Sequence, residues 1–319
     1  MQQQQNSPEL VLGTMTFGRQ VDDRDAEHIL EHFWAAGYRR IDTAYDYGKG
    51  ATEEMLGRLL TPERRAKVHL ATKANPWGEG GLRPENVRQQ LETSLRRLRC
   101  ETVDLFYLHA PDLKTPIETT LAACQELHEE GKFRELGLSN YAAWQVADIW
   151  HICRRNGWVL PSVYQGMYNA VTRAVEAELF PALRTLGLPF AAYNPLAGGL
   201  LTGKHRSREE QPSEGRFALL PMYQERYWKA DYFAALERVR ERCEAQGVSM
   251  AAGALRWELY HSRLSAEQGD TLIIGASSPE QLTNNLQSAA AGPLPQEMLA
   301  AYDQAWEIAR PACPPYFRT

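Results

Sequence analysis

No stretch of this chain is apolar for long enough to cross a bilayer, and no apolar segment near the N-terminus resembles the core of a secretory leader. The cytosol is therefore the expected compartment. Basic residues are neither massed in blocks nor interleaved with aromatics, and the net charge is −5, so the electrostatic footprint of a nucleic-acid binder is missing. Cysteine is sparse: Cys100, Cys124, Cys153, Cys243 and Cys313 stand far apart with no C-x-x-C pair. That spacing argues against a zinc ribbon or a disulfide framework and for thiols kept reduced. The 319 residues contain no Gly/Ser/Pro linker that would divide them, and no G-x-G-x-x-G between a strand and a helix. One domain spanning 9–319 is expected, preceded by a polar, frayed segment at 1–8.

What the chain does have is a repeated alternation of apolar runs with helical patterns, the signature of βα units and a parallel sheet. Strands are expected at 9–15, 39–44, 68–73, 104–110, 134–140, 162–166, 189–194 and 271–276. Helical patterns at 23–36, 52–60, 84–98, 117–130, 142–155, 173–186 and 279–290 lie between them, several entered through Pro, Asp or Ser and left through Gly. Eight such units predict an α/β fold of the (β/α)8 TIM-barrel type. Between strands seven and eight the pattern breaks into a long loop at about 197–230 and two helical patterns at 231–246 and 249–261. Loops of that length are usually functional. A last helix is expected at 295–309.

Active sites of such barrels gather at the C-terminal ends of the strands. Those ends read Asp42, Lys73, His109, Asn140, Gln165, then Tyr193 with Asn194, although the strand interiors are apolar. Asp42, Lys73 and His109 are one βα unit apart, so they fall on adjacent strands roughly 4.8 Å from one another. Each has an ordinary explanation taken singly: a turn aspartate, a solvated lysine, a hydrogen-bonded core histidine, and in Tyr47 a turn aromatic. Together on one rim they suit protonation of an oxygen that gains negative charge, as in hydride reduction of a carbonyl. Tyr47 would be the general acid. A Lys73 ammonium about 4 Å away would favour the phenolate by roughly 4 kcal/mol, about three pKa units before desolvation, bringing the phenol toward a useful range. Asp42 would hold Lys73, and a neutral His109 would orient the substrate oxygen.

The motifs DTAYDYG (42–48), EEMLG (53–57), TKA (72–74), LFYLHAPD (105–112), GLSNY (137–141), YQGMYN (164–169) and SSPEQLTNNL (277–286), in this order, resemble the aldo-keto reductase superfamily. YNPLAGGLLTGK (193–204) and PPYFR (314–318) resemble its aflatoxin-aldehyde reductase branch in particular. The resemblance implies a barrel that binds NADPH without a Rossmann fold and works without metal, with Asp42, Tyr47, Lys73 and His109 catalytic. It implies that Ser139, Asn140 and Gln165 hold the nicotinamide carboxamide and that Tyr193 stacks on the ring. The cofactor set it implies also takes in Asn194, Pro195, Leu196, Gly198, Leu200, Lys204, Arg216, Ser277, Gln281, Asn284 and Asn285.

Gly198, Gly203 and Lys204 also satisfy the phosphate-loop spacing, but His205 stands where Ser or Thr would serve Mg²⁺, so an NTPase is rejected. As glycine-rich backbone near a pyrophosphate the segment still fits. Ser277 or Ser278 is expected to cap a helix with Pro279 at its first position, leaving free N–H groups for an anion. Many family members carry Arg where Gln281 stands and Glu where Asn284 stands, so this loop supports NADPH over NADH less than theirs; Lys204 and Arg216 are the other cations on offer. For the substrate, the resemblance puts Tyr223, Arg226 and Arg318 at a carboxylate subsite, which favours succinic semialdehyde, carboxybenzaldehydes and dicarbonyls; Met15 and Trp77, in loops after strands one and three, are placed to line its apolar side and equally to serve as packing residues. It implies a homodimer. The rival expectations are a cofactor-binding regulatory subunit like the potassium-channel β subunits, and a barrel aldolase with Lys73 as Schiff base.

Overall fold

In the computed structural model, residues 7–210, 212–213 and 215–318 are described. Of the tract 1–8, therefore, only Ser7 and Pro8 fall among the described residues, and Pro8 is buried. Eight strands close a barrel in chain order, every neighbouring pair parallel: β1 (Glu9–Gly13), β2 (Arg40–Asp42), β3 (His69–Ala74), β4 (Val103–Leu108), β5 (Phe133–Ser139), β6 (Pro161–Met167), β7 (Phe190–Tyr193) and β8 (Thr271–Gly275). Helices follow the strands and pack outside. Among the described residues no helix is long and apolar enough to cross a membrane.

Strand side chains alternate between the two faces of a sheet. Leu10 and Leu12 of β1 join the large cluster between sheet and helices, whereas Val11 points inward to meet Ala191 and Ile273. A second interior layer is built from Ala71, Leu105 and Tyr107. The Tyr107 ring crosses the barrel because β5 has no side chain at Gly137: a Cβ there would stand 2.3 Å from it. Continuing these inward rows toward the C-terminal mouth gives Asp42, Lys73, His109, Ser139, Gln165 and Tyr193, so one parity carries both the core layers and the polar rim.

The helices start where their local chemistry dictates. Asp22, Thr61, Ser249 and Ser278 cap N-termini through their side chains, Pro84 and Pro279 occupy first turns, and Gly157 and Gly187 close helices in the left-handed conformation. Three expectations need correction. The first strand ends at Gly13, short of Met15. The pattern at 173–186 is a 3₁₀ turn, Ala174–Glu176, followed by the helix Leu179–Leu186, because Pro181 has no N–H to bond the Ala177 carbonyl and so a helix cannot run on through that point. The long loop 197–230 contains a 3₁₀ segment, Ala197–Thr202, and the helices Gly215–Leu219 and Pro221–Tyr227, which bury Phe217, Tyr223 and Tyr227.

Candidate active site

A cavity of about 460 Å³ opens at the C-terminal mouth of the barrel. At its floor Lys73 Nζ donates to Asp42 Oδ1 at 2.5 Å and to the Thr43 carbonyl at 2.7 Å, and Gln165 Nε2 donates to Asp42 Oδ2 at 2.8 Å. Lys73 is 0% and Asp42 4% exposed. Adjacency of β2 and β3 brings Lys73 to Asp42, as their spacing predicts, whereas Gln165 reaches Asp42 across the barrel from β6.

Tyr47 stands on a tight turn, Tyr47–Gly50, whose next three residues all have positive φ. Glycine at 48 and 50 makes that reversal cheap. The turn aims the phenol at the cavity, 5.9 Å centroid to centroid from the His109 ring in an edge contact, with Lys73 Nζ 5.1 Å from the Tyr47 ring centroid. The phenol's pKa is pushed well above its ordinary value, first by burial, then by the Asp42 and Asp46 carboxylates. This overturns the expectation that Lys73 lowers it. The cation lies against the ring, but burial and the two carboxylates outweigh it. His109 is the neutral imidazole expected: burial, then Lys73 and Arg318, hold it well below the usual histidine range.

Ser139, Asn140, Gln165, Tyr193 and Asn194 line the same cavity. Asn140 Nδ2 donates to the His109 carbonyl and to Ser139 Oγ, and its Oδ1 accepts from the Tyr193 hydroxyl at 2.7 Å. Ser139 thus accepts from Asn140 and keeps its hydroxyl proton to give, among the described residues. Asn140, Asn194 and Ala197 hold positive φ without being glycine, a strain of order 1 kcal/mol each that clusters on this rim. Asn194 is held by its side chain, which accepts from Gly198 N and donates to the Tyr227 hydroxyl.

Met15, Trp77, Pro195, Arg216, Tyr223, Arg226 and Arg318 also border the cavity. Arg216 and Arg226 lie 5.7 and 5.9 Å from the Tyr223 ring centroid, and Arg318 lies 4.9 Å from that of Trp77, whose edge meets His109 at 4.8 Å. The Arg318 backbone N–H donates to the Asn140 carbonyl at 2.9 Å, while Tyr316 accepts from Ala143 N and donates to Glu178. Those bonds bring a residue from the far end of the described chain to the mouth of the barrel. Burial lowers the Arg318 pKa.

The remaining expected residues stand outside the cavity lining. Leu196 is half-buried, Leu200 is buried in the core, and Lys204 is exposed. The N–H groups of Ala197, Gly198, Gly199 and Leu201 are all bonded within their own segment. Ser278, not Ser277, is the helix cap; Ser277 instead bonds Gln281 Oε1 through both its N–H and its hydroxyl. Asn284 is exposed, and Asn285 is buried against the Gly275 carbonyl. Two charged residues missed in the sequence line the cavity, Arg19 after β1 and Asp46 beside Tyr47. The signal for Asp46 was in plain view inside DTAYDYG.

A sequence model of the aldo/keto reductase family matches residues 9–307. The chain is 50% identical to aflatoxin B1 aldehyde reductase member 2 of Rattus norvegicus, over 98% of its own length and 88% of that protein. It is 49% identical to aflatoxin B1 aldehyde reductase member 4 of Homo sapiens, over 97% of each chain, and 35% identical to aldo-keto reductase pigE of Monascus ruber, over 92% and 90%.

Proposed function

Because the chain belongs to the aldo/keto reductase family of oxidoreductases, we propose that it reduces aldehydes and dicarbonyls to alcohols with NADPH, with Tyr47 as general acid, and favours small aldehydes that carry a carboxylate. The observation that carries this reading is the meeting of Tyr47, neutral His109 and Asp42 on one cavity, with Lys73 buried beneath it and paired to Asp42. The residues present fit a nicotinamide: an aromatic wall in Tyr193 beside the hydroxyl and amide groups of Ser139, Asn140 and Gln165, all on the cavity lining. When bound, that group supplies the hydride.

The chain's own residues do the rest. Tyr47 holds its proton firmly in the resting protein and gives it up only to an oxygen that is becoming an alkoxide, a far stronger base than a ground-state carbonyl. His109, uncharged, offers a hydrogen bond that positions that oxygen without protonating it beforehand. Lys73, fixed by Asp42, supplies a positive field for the phenolate left behind. Arg226 and Arg318 present planar forks to a substrate carboxylate, and burial of Arg318 strengthens the attraction. NADPH is preferred over NADH on this reading through Arg216 and Lys204, of which Arg216 borders the cavity.

The test is cofactor oxidation by the purified protein with succinic semialdehyde, run against NADH and against an uncharged aldehyde. Turnover that prefers NADPH and the acidic aldehyde is expected. Tight NADPH binding with no turnover of any aldehyde would overturn the reductase assignment.

A further inference from the structure

Two buried polar atoms in the cavity wall face each other without partners. His109 Nδ1 and Asp46 Oδ1 are 3.8 Å apart, and neither has a hydrogen bond among the described residues. The gap is wider than a hydrogen bond, so the pair must draw together for one to form. With Nδ1 turned toward Asp46, Nε2 is the ring nitrogen left to the cavity that His109 lines.

A neutral imidazole carries one N–H, so the partner of one nitrogen decides what the other presents. A protonated Asp46 donates its O–H to the lone pair of Nδ1, and the ring proton sits on Nε2, a donor to a carbonyl oxygen. An ionised Asp46 accepts from Nδ1–H, and Nε2 turns a lone pair toward that oxygen instead. We propose that Asp46 is a positioning residue that sets the tautomer of His109, presenting Nε2–H to the substrate oxygen while protonated and withdrawing it on ionisation. Protons balance: Asp46 releases one to solvent, and the ring proton moves from Nε2 to Nδ1 with no change in ring charge. The kinetic consequence rests on the aldehyde-reductase reading; the tautomer does not.

The groups around Asp46 oppose one another. Burial disfavours its charge and is the largest influence, so the acid form persists to higher pH than in an ordinary aspartate. Its own backbone N–H, Lys73 on β3, Arg318 at the C-terminal end and Arg19 after β1 pull the other way. Tyr47 beside it contributes a neutral phenol, and His109 on the facing side contributes no charge.

The direct test is nitrogen NMR of the protein labelled in its histidine rings, without cofactor, with the His109 signals identified by their loss in His109→Gln. As pH rises, the His109 proton is expected to move from Nε2 to Nδ1 with one midpoint, and in Asp46→Asn the tautomer no longer depends on pH. In parallel, kcat/KM for an uncharged aldehyde is expected to fall roughly tenfold through that midpoint, the worth of one hydrogen bond to the carbonyl, and the step is absent in Asp46→Asn. A tautomer constant with pH in the unsubstituted protein, or a shift that survives Asp46→Asn unchanged, overturns the proposal. So does a tautomer shift unaccompanied by the kinetic step in a protein that does reduce aldehydes. If no aldehyde turns over, the reductase reading fails, and the NMR result still decides the tautomer.

Discussion

Lys73 and Asp42 form an ion pair at 2.5 Å that is shut away from water on both sides. Their mutual dependence makes a stability prediction. Asp42→Leu leaves a buried ammonium with only the Thr43 carbonyl, and Lys73→Met leaves a buried carboxylate with only Gln165. Each single change is expected to cost about 3 to 5 kcal/mol in urea unfolding. The double variant is expected to recover most of that loss while remaining without activity, which separates holding the fold from serving the chemistry.

Tyr47→Phe removes the phenolic proton assigned to the general acid. Turnover of every aldehyde is expected to fall at least about a hundredfold, with cofactor affinity by fluorescence titration close to normal. The sign of the pKa shift adds a second expectation: since the phenol is raised above its ordinary value near 10, the acid form is lost only as pH climbs through that higher value, so no decline in kcat below about pH 10 should arise from Tyr47. Retained turnover in the variant would reject the assignment.

The arginine pocket predicts a selective defect. Arg226→Ala and Arg318→Ala should each raise KM for succinic semialdehyde roughly tenfold or more, the worth of a charge-assisted hydrogen bond, and leave KM for propanal nearly unchanged. Equal effects on both substrates would mean that these side chains shape the cavity without reading a carboxylate.

Glu258, far from these groups in sequence, is 0% exposed, and neither carboxyl oxygen has a hydrogen-bond partner among the described residues. Burial raises its pKa well above the ordinary carboxylate value, so the folded protein binds this proton more tightly than the unfolded chain does. Its contribution to stability is therefore fully present below the unfolded-state pKa and is lost as pH rises toward the folded-state value. Replacing it with the similarly sized apolar residue in Glu258→Met should stabilise the protein by about 1 to 3 kcal/mol near neutral pH and flatten that dependence. Denaturation midpoints of the two proteins across pH would show it; parallel curves would count against it.

The rim was legible because inward parity and one-unit spacing are properties of local sequence, and Asp42, Lys73, His109 and Gln165 obey both. What local sequence cannot carry is the state of a charge after folding. Lys73 looked like a cation that would lower the phenol, yet burial and the Asp42 and Asp46 carboxylates outweigh it and leave the phenol raised. Asp46 was missed because His109, its neighbour in space, lies beyond the next whole βα unit. Glu258 has the residue type of a solvent face, though its spacing from Ala254 and Leu255 puts it on the apolar side of the helix Met250–Tyr260. The helices inside 197–230 were hidden for a similar reason: short segments gain their order from the burial of Phe217, Tyr223 and Tyr227, which periodicity over so few residues does not reveal.

Trp77 is half exposed, with the Arg318 guanidinium over its ring and the His109 ring in an edge contact with it. An indole so placed is an optical probe built into the wall of the chamber. Its emission responds to whatever displaces the guanidinium or covers the ring, so the difference in intrinsic fluorescence between the unsubstituted protein and Trp77→Phe isolates events at the mouth from the signal of the other tryptophans, before any turnover is measured.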